Sequence, residues 1–413
     1  MTAPQLQVEI GFGATASMAG FFVLGGSTLY NPVGPTGTDA IAGTVWTDVT
    51  SSISGQVMVT RGRSRETDQF QAGTASFTLR NEDRQFDPSN TAGPWYPGPQ
   101  PRLQVMIHLN GFAVFFGYID DIAVDYGMPS TSAVTITCVD TFTVLANMTL
   151  RSWTPTVGWT TGQGVTAALD RCGYGYTRNI SAGSSTIGAN LQDGVSLLDF
   201  LQTMARTENG YLYCDLSDTL QFLGRYDRDN SIRGVFTDVP TSDTDIGYTT
   251  IQQKSAASLL YNEVVGTRNG GGVAQVAADA ASKTQFLPRS LSLGTLENKQ
   301  DSDVLSLCQY LVGRYSQPEV RFDTITVELA GLSNPQSNSV LVCDLTRTVS
   351  VTRTPPGGGS AITKLCMIEG INWSIDVGGS ALVTFNLGLL DTRNFVILDD
   401  ASLGVLNTSK LNY

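Results

Sequence analysis

Histidine is almost missing from this sequence: His108 is the only one among 413 residues. A Ser-His-Asp triad would have to be built on that side chain. It falls on the polar face of the alternating segment 103–109, where a surface or lumen-facing imidazole is expected instead. No G-x-S-x-G elbow at a strand-to-helix turn accompanies it. Zinc chemistry fares no better, because a site needs four convergent ligands. The six cysteines, at 138, 172, 214, 308, 343 and 366, include no C-x-x-C pair. Several lie inside apolar patterns, so buried reduced thiols are expected. Charge is also scarce, at 15% Asp, Glu, Lys and Arg against the usual quarter. No Lys/Arg run occurs, and a tight static grip on nucleic acid needs clustered cations. No stretch is long and apolar enough to span a membrane, since 11–30 is interrupted by Gly, Thr and Ser. The first residues lack a basic leader region, so a product of the cytoplasm is expected.

What is present fits an all-β chain with many turns: 43 glycines, abundant Thr and Ser, and 41% hydrophobic residues. The net charge of −12 suits a wall that DNA passes without sticking. Residues 6–12 and 45–50 read as strands. Residues 74–79 alternate with Ala75, Phe77 and Leu79 on one face, and 103–109 with Leu103, Val105, Ile107 and Leu109. The apolar run 114–119 and the segment 134–138 complete a barrel or sandwich of five or more strands. Helical spacing then appears at 162–173 and at 196–208, the latter with Ser196 as N-cap. A hairpin follows, turning at Ser217-Asp218.

Strands return at 261–267 and 273–277, joined across Asn269-Gly270-Gly271-Gly272. A helix over 301–315, capped by Asp301 or Ser302, precedes strands at 321–330, 346–353, 361–369, 371–377 and 382–389. The expected fold is mainly β with an α+β insert: two β-barrel or sandwich domains flanking a small α+β domain. The divisions fall at 1–150, an N-terminal β domain with an extension that includes the 31–37 turn; 151–250, the α+β domain; 251–396, a second β domain with one crossing helix; and 397–413, an extended tail. The two β-rich regions are candidates for units of related shape.

Other chemistry reduces to structure. Asp120-Asp121 are adjacent on a strand and point to opposite faces, unlike a glycosidase pair. Asp227/Asp229 and Asp243/Asp245 offer oxygens to calcium without the full EF-hand set, and loop solvation is the better reading. The glycine runs 270–272 and 357–359 lie between strands and lack the Lys-Ser/Thr of a phosphate loop. No catalytic residue, metal or cofactor is expected.

Five ordered stretches resemble minor tail proteins of long-tailed phages. They are Trp46-Thr-Asp-Val-Thr50 with Val59-Thr-Arg61-Gly62-Arg63-Ser-Arg65-Glu66; Gln71-Ala-Gly73 through Phe77-Thr-Leu79-Arg-Asn81-Glu-Asp83 to Phe86-Asp87-Pro88; Gly93-Pro-Trp95-Tyr96 with Val114-Phe-Phe116-Gly117; Leu260-Tyr261-Asn262-Glu-Val264 with Pro288-Arg289; and Val349-Ser-Val351-Thr-Arg353-Thr-Pro355-Pro356-Gly357 with Ile368-Glu-Gly370-Ile371. The ordered set spans nearly the whole chain. It departs at Glu82-Asp83-Arg84, where relatives often carry Gly after the Asp.

The resemblance implies a tail-tip hub, three copies closing a ring in which two β-barrels each adapt a sixfold tube to a threefold tip. It implies homo-trimeric partners, other tail proteins (distal tail or tube, tape measure, tip or fibre), contact with the host surface, and a virion location. Specific nucleic-acid binding is not implied. Interface candidates are Arg61, Arg63 and Arg65, whose alternation offers guanidinium forks to a neighbour's carboxylates, and the loop residues Trp95, Tyr96, Pro355 and Pro356. Trp153 and Trp159 sit in similar loops. A receptor- or wall-binding tip protein is the alternative.

Overall fold

The alternation of buried and exposed positions draws the N-terminal half strand by strand. In the computed structural model the described residues are 4–12, 46–96, 98–127, 131–227, 229, 231–255 and 259–390. The expected 31–37 turn and the expected tail lie outside them. Seven strands come first: β1 (Leu6–Gly11), β2 (Trp46–Asp48), β3 (Ile53–Gly62), β4 (Gln71–Arg80), β5 (Gln104–Leu109), β6 (Phe112–Gly127) and β7 (Thr131–Val139). They hydrogen-bond in the order β3-β4-β7-β6-β5-β1-β2. The long strand β6 is broken by an irregularity between Ile119 and Asp121. Up to Tyr118 it pairs with β5, and from Tyr118 onward with β7. An irregularity of this kind bends a strand and hands it from one neighbour to the next.

The α+β insert follows. It holds α1 (Phe142–Asn147), β8 (Thr149–Leu150), α2 (Thr161–Arg171), β9 (Arg178–Ile180), β10 (Val195–Ser196), α3 (Leu197–Glu208), β11 (Tyr211–Cys214) and β12 (Leu220–Leu223). Thr160 and Gln163 form a capping box on α2. The Ser196 hydroxyl accepts the Asp199 N–H, as its N-cap role requires, and α3 ends on Asn209 at φ 54°. The β11–β12 hairpin turns through Asp218 at φ 56°. Short α1 carries too few residues for periodicity to reveal it.

The C-terminal half contains β13 (Ile232–Thr237), β14 (Ile246–Gly247), β15 (Thr250–Lys254), β16 (Glu263–Arg268), β17 (Gln275–Ala278), α4 (Ala280–Phe286), β18 (Ser290–Leu296), α5 (Asp301–Tyr315), β19 (Arg321–Glu328), α6 (Asn334–Leu341), β20 (Thr348–Arg353), β21 (Ile362–Asp376) and β22 (Ala381–Leu389). β13 and β14, which the sequence groups with the α+β segment, hydrogen-bond into this half: β13 runs parallel to β20. The helix expected to cross the second β unit packs elsewhere. α5 lays Val304, Leu307, Cys308 and Leu311 against Val264, Ala277 and Leu296 of the separate sheet β17-β16-β18, making a second core. Its N-cap is Gln300, without a side-chain cap, in place of Asp301 or Ser302.

Two features organise the whole. First, the halves repeat one strand plan. β3-β4-β7-β6 in the first corresponds to β15-β19-β22-β21 in the second, every neighbouring pair antiparallel. β21, like β6, is long and irregular at its middle, between Ile368 and Gly370, and its first part pairs with β20 as that of β6 pairs with β5. Second, β21 also pairs antiparallel with β3, from Gly370↔Gly62 to Asp376↔Gln56. The halves are therefore one fourteen-stranded sheet. The backbones approach closely at this seam: Gly62 sits at φ +92°, and a Cβ there would fall on the Glu369 carbonyl and the Gly370 Cα.

Candidate assembly surface

The shared sheet has one apolar and one open face along eight strands, β15-β19-β22-β21-β3-β4-β7-β6. Underneath, Val57, Val59, Ala75, Phe77, Ile136, Trp373, Ile375, Val383, Phe385, Ile325 and Val327 are buried. On the open face the register aligns Thr250, Thr326, Thr384, Asn372, Thr60 and Thr74 in a single row across six strands. At the spacing of neighbouring strands that row is about 24 Å long. The next row reads Leu382, Ser374, Met58, Ser76, Thr137 and Asp121. Neighbouring hydroxyls hydrogen-bond across strands, Thr326 to Thr384 at 3.0 Å and Thr78 to Thr135 at 3.2 Å. A surface of hydroxyls and amides with acids at its margin stays wetted and has no cation array with which to hold phosphate. Alternation along each strand marks its buried residues but not their polar partners across the open face. The signal was there: Thr, Ser and Asn fill polar positions where Lys and Glu commonly stand.

The sequence candidates are placed as follows. Arg61 and Arg63 each pair through one nitrogen with a carboxylate of their own chain. Arg61 is buried, 2.6 Å from Asp344, and donates to the Cys214 carbonyl. Arg63 meets Glu369 at 2.6 Å and lies over the rings of Phe70 and Tyr211. Burial works to lower the Arg63 pKa, but Glu369 together with Tyr211 and Tyr315 raises it overall, so the guanidinium stays charged. Of the three arginines only Arg65 is exposed. Nearby, Glu66 is bridged by Arg314 at 2.8 Å and by Arg321. This knot ties the β3–β4 loop to α5, β19 and β21, and sequence spacing alone could not bring its members together.

Trp95 is half-buried and stacks on Phe12 at 5.0 Å, anchoring the 81–102 loop, whereas Tyr96 is 52% exposed. Pro356 is exposed and Pro355 half-buried at the β20–β21 tip, which Asp238 fastens by accepting the Thr354 N–H at 2.6 Å. Trp153 packs edge-on against Phe200. His108 is half-buried on β5 with Glu9 3.7 Å away. Asp229 is engaged by Arg233 and Arg347, and Asp245 by the Thr241 and Ser242 N–H groups. Among the described residues no three His, Cys, Asp or Glu side chains converge as metal ligands.

Where the insert meets the N-terminal half, Asp140 is buried and Asp218 half-buried. Asp140 accepts the N–H groups of Gly73 at 2.6 Å and Phe142 at 3.0 Å. Asp218 accepts from Tyr118 at 2.7 Å and from Thr141. Burial pushes Asp140 up to about 7, although both N–H groups and Arg61 pull the other way. Asp218 is raised as well, by burial.

The chain is mainly β, its two halves repeat one plan within a single sheet, and the buried arginines of its β3–β4 segment are tied to carboxylates of the same chain. Comparison places the fold. Over 94% of its length the chain superposes on 98% of a 43 kDa tail protein of prophage MuSo2 from Shewanella oneidensis, at 12% identity and a TM-score of 0.58. It superposes equally on 96% of a tail protein from Neisseria meningitidis MC58, again at 12% identity over 94% of this chain, at a TM-score of 0.56. The chain thus shares the fold of phage tail proteins. No family model and no curated protein matches it.

Proposed function

We propose that this protein is a structural component of a phage tail, the hub at the tail tip, where copies of the chain close a ring that joins the tube to the tip apparatus around a lumen for DNA. The single observation that carries the reading is the open face of the shared sheet, lined over both halves mostly by hydroxyls and amides, with Met58 and Leu382 its exposed apolar side chains, and edged by acids. An interface would bury apolar area and a nucleic-acid grip would present cations; a passage wall needs neither. The near end-to-end likeness to two tail proteins supports the same reading, as does the organisation into repeated β halves. The partners are then further copies, three to a ring, and neighbouring tail proteins: distal tail or tube, tape measure, and tip or fibre. No catalytic step is assigned. Gold-labelled antibody against this chain, imaged on virions by electron microscopy, tests the proposal. Label confined to the distal tail end is expected; label along the whole tail or absent from particles would overturn it.

Exposed Tyr96 and Pro356 favour a second reading, attachment to the host surface. Its test is binding of the purified chain to susceptible cells, with loss on Tyr96→Ala.

A further inference from the structure

A cleft of about 280 Å³ opens at the seam between the two apolar cores. Phe70, just ahead of β4, and Leu212 of β11 wall it from the large core. Leu311 of α5, with Leu291 and Leu293 of β18, walls it from the small one. Phe70, Leu212 and Leu311 are buried, whereas Leu291 and Leu293 are only half-buried. The rim carries both signs of charge, Asp68 from the β3–β4 loop and Arg206 from α3, each exposed. Where the cleft runs into the charged knot, Glu66 and Tyr315 line it.

The chain delivers a matching segment to this place. Arg314 donates from one nitrogen, Nη2, both to Glu66 and to the Leu389 carbonyl, each at 2.8 Å. Strand β22 therefore finishes one guanidinium away from a residue that lines the cleft. Beyond the described residues the sequence runs Asp391-Thr-Arg393-Asn394, then Phe395-Val-Ile397-Leu398, then Asp399-Asp400. Four consecutive apolar side chains between polar ones demand cover. From Leu390 the chain can reach about 17 Å to Phe395 and about 28 Å to Leu398. Charge fits as well: Arg393 before the run and Asp399-Asp400 after it are opposite in sign to Asp68 and Arg206 on the rim. We infer that residues 395–398 seat in the cleft of their own chain, against Leu291, Leu293 and Leu311. The contact closes the seam between the two cores and holds whatever the chain's place in a particle.

Hydrogen exchange of the full-length chain, read by mass spectrometry at high and at low concentration, tests this. The amides of 395–399 should exchange more slowly than those of an unstructured chain, equally at both concentrations. Full-length Phe395→Asp with Ile397→Asp should abolish that protection and speed exchange in β18, with β3 and β21 unmoved. From the other side, Leu293→Glu should release the segment without altering it. Ala205→Glu, on the α3 wall of the cleft, makes the same test where Leu293→Glu does not fold, and protection of β3 and β21 reports folding in each. Exchange of 395–399 at the unstructured rate in the wild type would overturn the inference and leave the cleft to an apolar segment of another protein. Protection lost on dilution would assign the cleft to a second copy's segment and overturn it too. So would protection that neither wall substitution moves, which seats the segment elsewhere. None of these outcomes alters where label falls on the tail, so the hub reading stands or fails separately.

Discussion

At the scale of the residue, environment decides what a charge is worth. Arg63 and Arg65 are two positions apart on one segment, yet Arg63 is buried against Glu369 and Arg65 faces solvent. Removing one member of a buried pair strands the other, at about 3–5 kcal/mol. An exposed side chain without such a partner is worth within about 0.5 kcal/mol. Arg63→Ala should therefore lower the urea midpoint strongly while Arg65→Ala leaves it in place; equal effects would contradict the assignment. Asp140 gives a pH signature. Its carboxyl titrates near 3.9 in an unfolded chain and at about 7 in the fold. The native state holds a proton over that window which the unfolded chain has released. The resulting stability is complete below about pH 4 and is lost as pH rises through 7. Relative to Asp140→Asn, the wild type should lose stability between pH 5 and pH 8, read from urea midpoints; parallel midpoints would count against a raised Asp140. Alternation of the arginines was legible in the sequence, but their partners were not, because Glu369 and Asp344 lie about 300 residues away in the chain.

At the scale of the element, the amphipathic helices and tight hairpins were readable because their signals are local. α3 has its Ser196 cap and apolar stripe, and the 269–272 turn joins β16 to β17 as expected. α1, α4 and α6 run only six to eight residues and show too few turns to declare a period. What α5 packs against was not readable, since an apolar stripe says only that something covers it. The structure supplies β16–β18, and Leu307 is buried in that small core. Leu307→Ala should cost about 2–5 kcal/mol. Hydrogen exchange should accelerate first in β16–β18, with β3 and β21 still protected; uniform acceleration would mean that the two cores open together.

At the scale of the whole molecule, the sequence suggested two β regions of related shape, and the strand plan shows what they share. Self-similarity was invisible because the repeat is one of topology: the second half carries a whole α/β unit between β15 and β19 where the first has only a loop between β3 and β4. The open face was invisible for a related reason. Each strand displayed its own alternation, but the row of Thr250, Thr326, Thr384, Asn372, Thr60 and Thr74 exists only once register is known. That face is the basis for reading this fold as the wall of a passage. A cryo-electron microscopy map of the distal tail end of the virion tests this most directly. The account predicts a ring of three copies with the threonine row turned toward the axis. A ring with that row turned outward, or pressed against another protein, would contradict it.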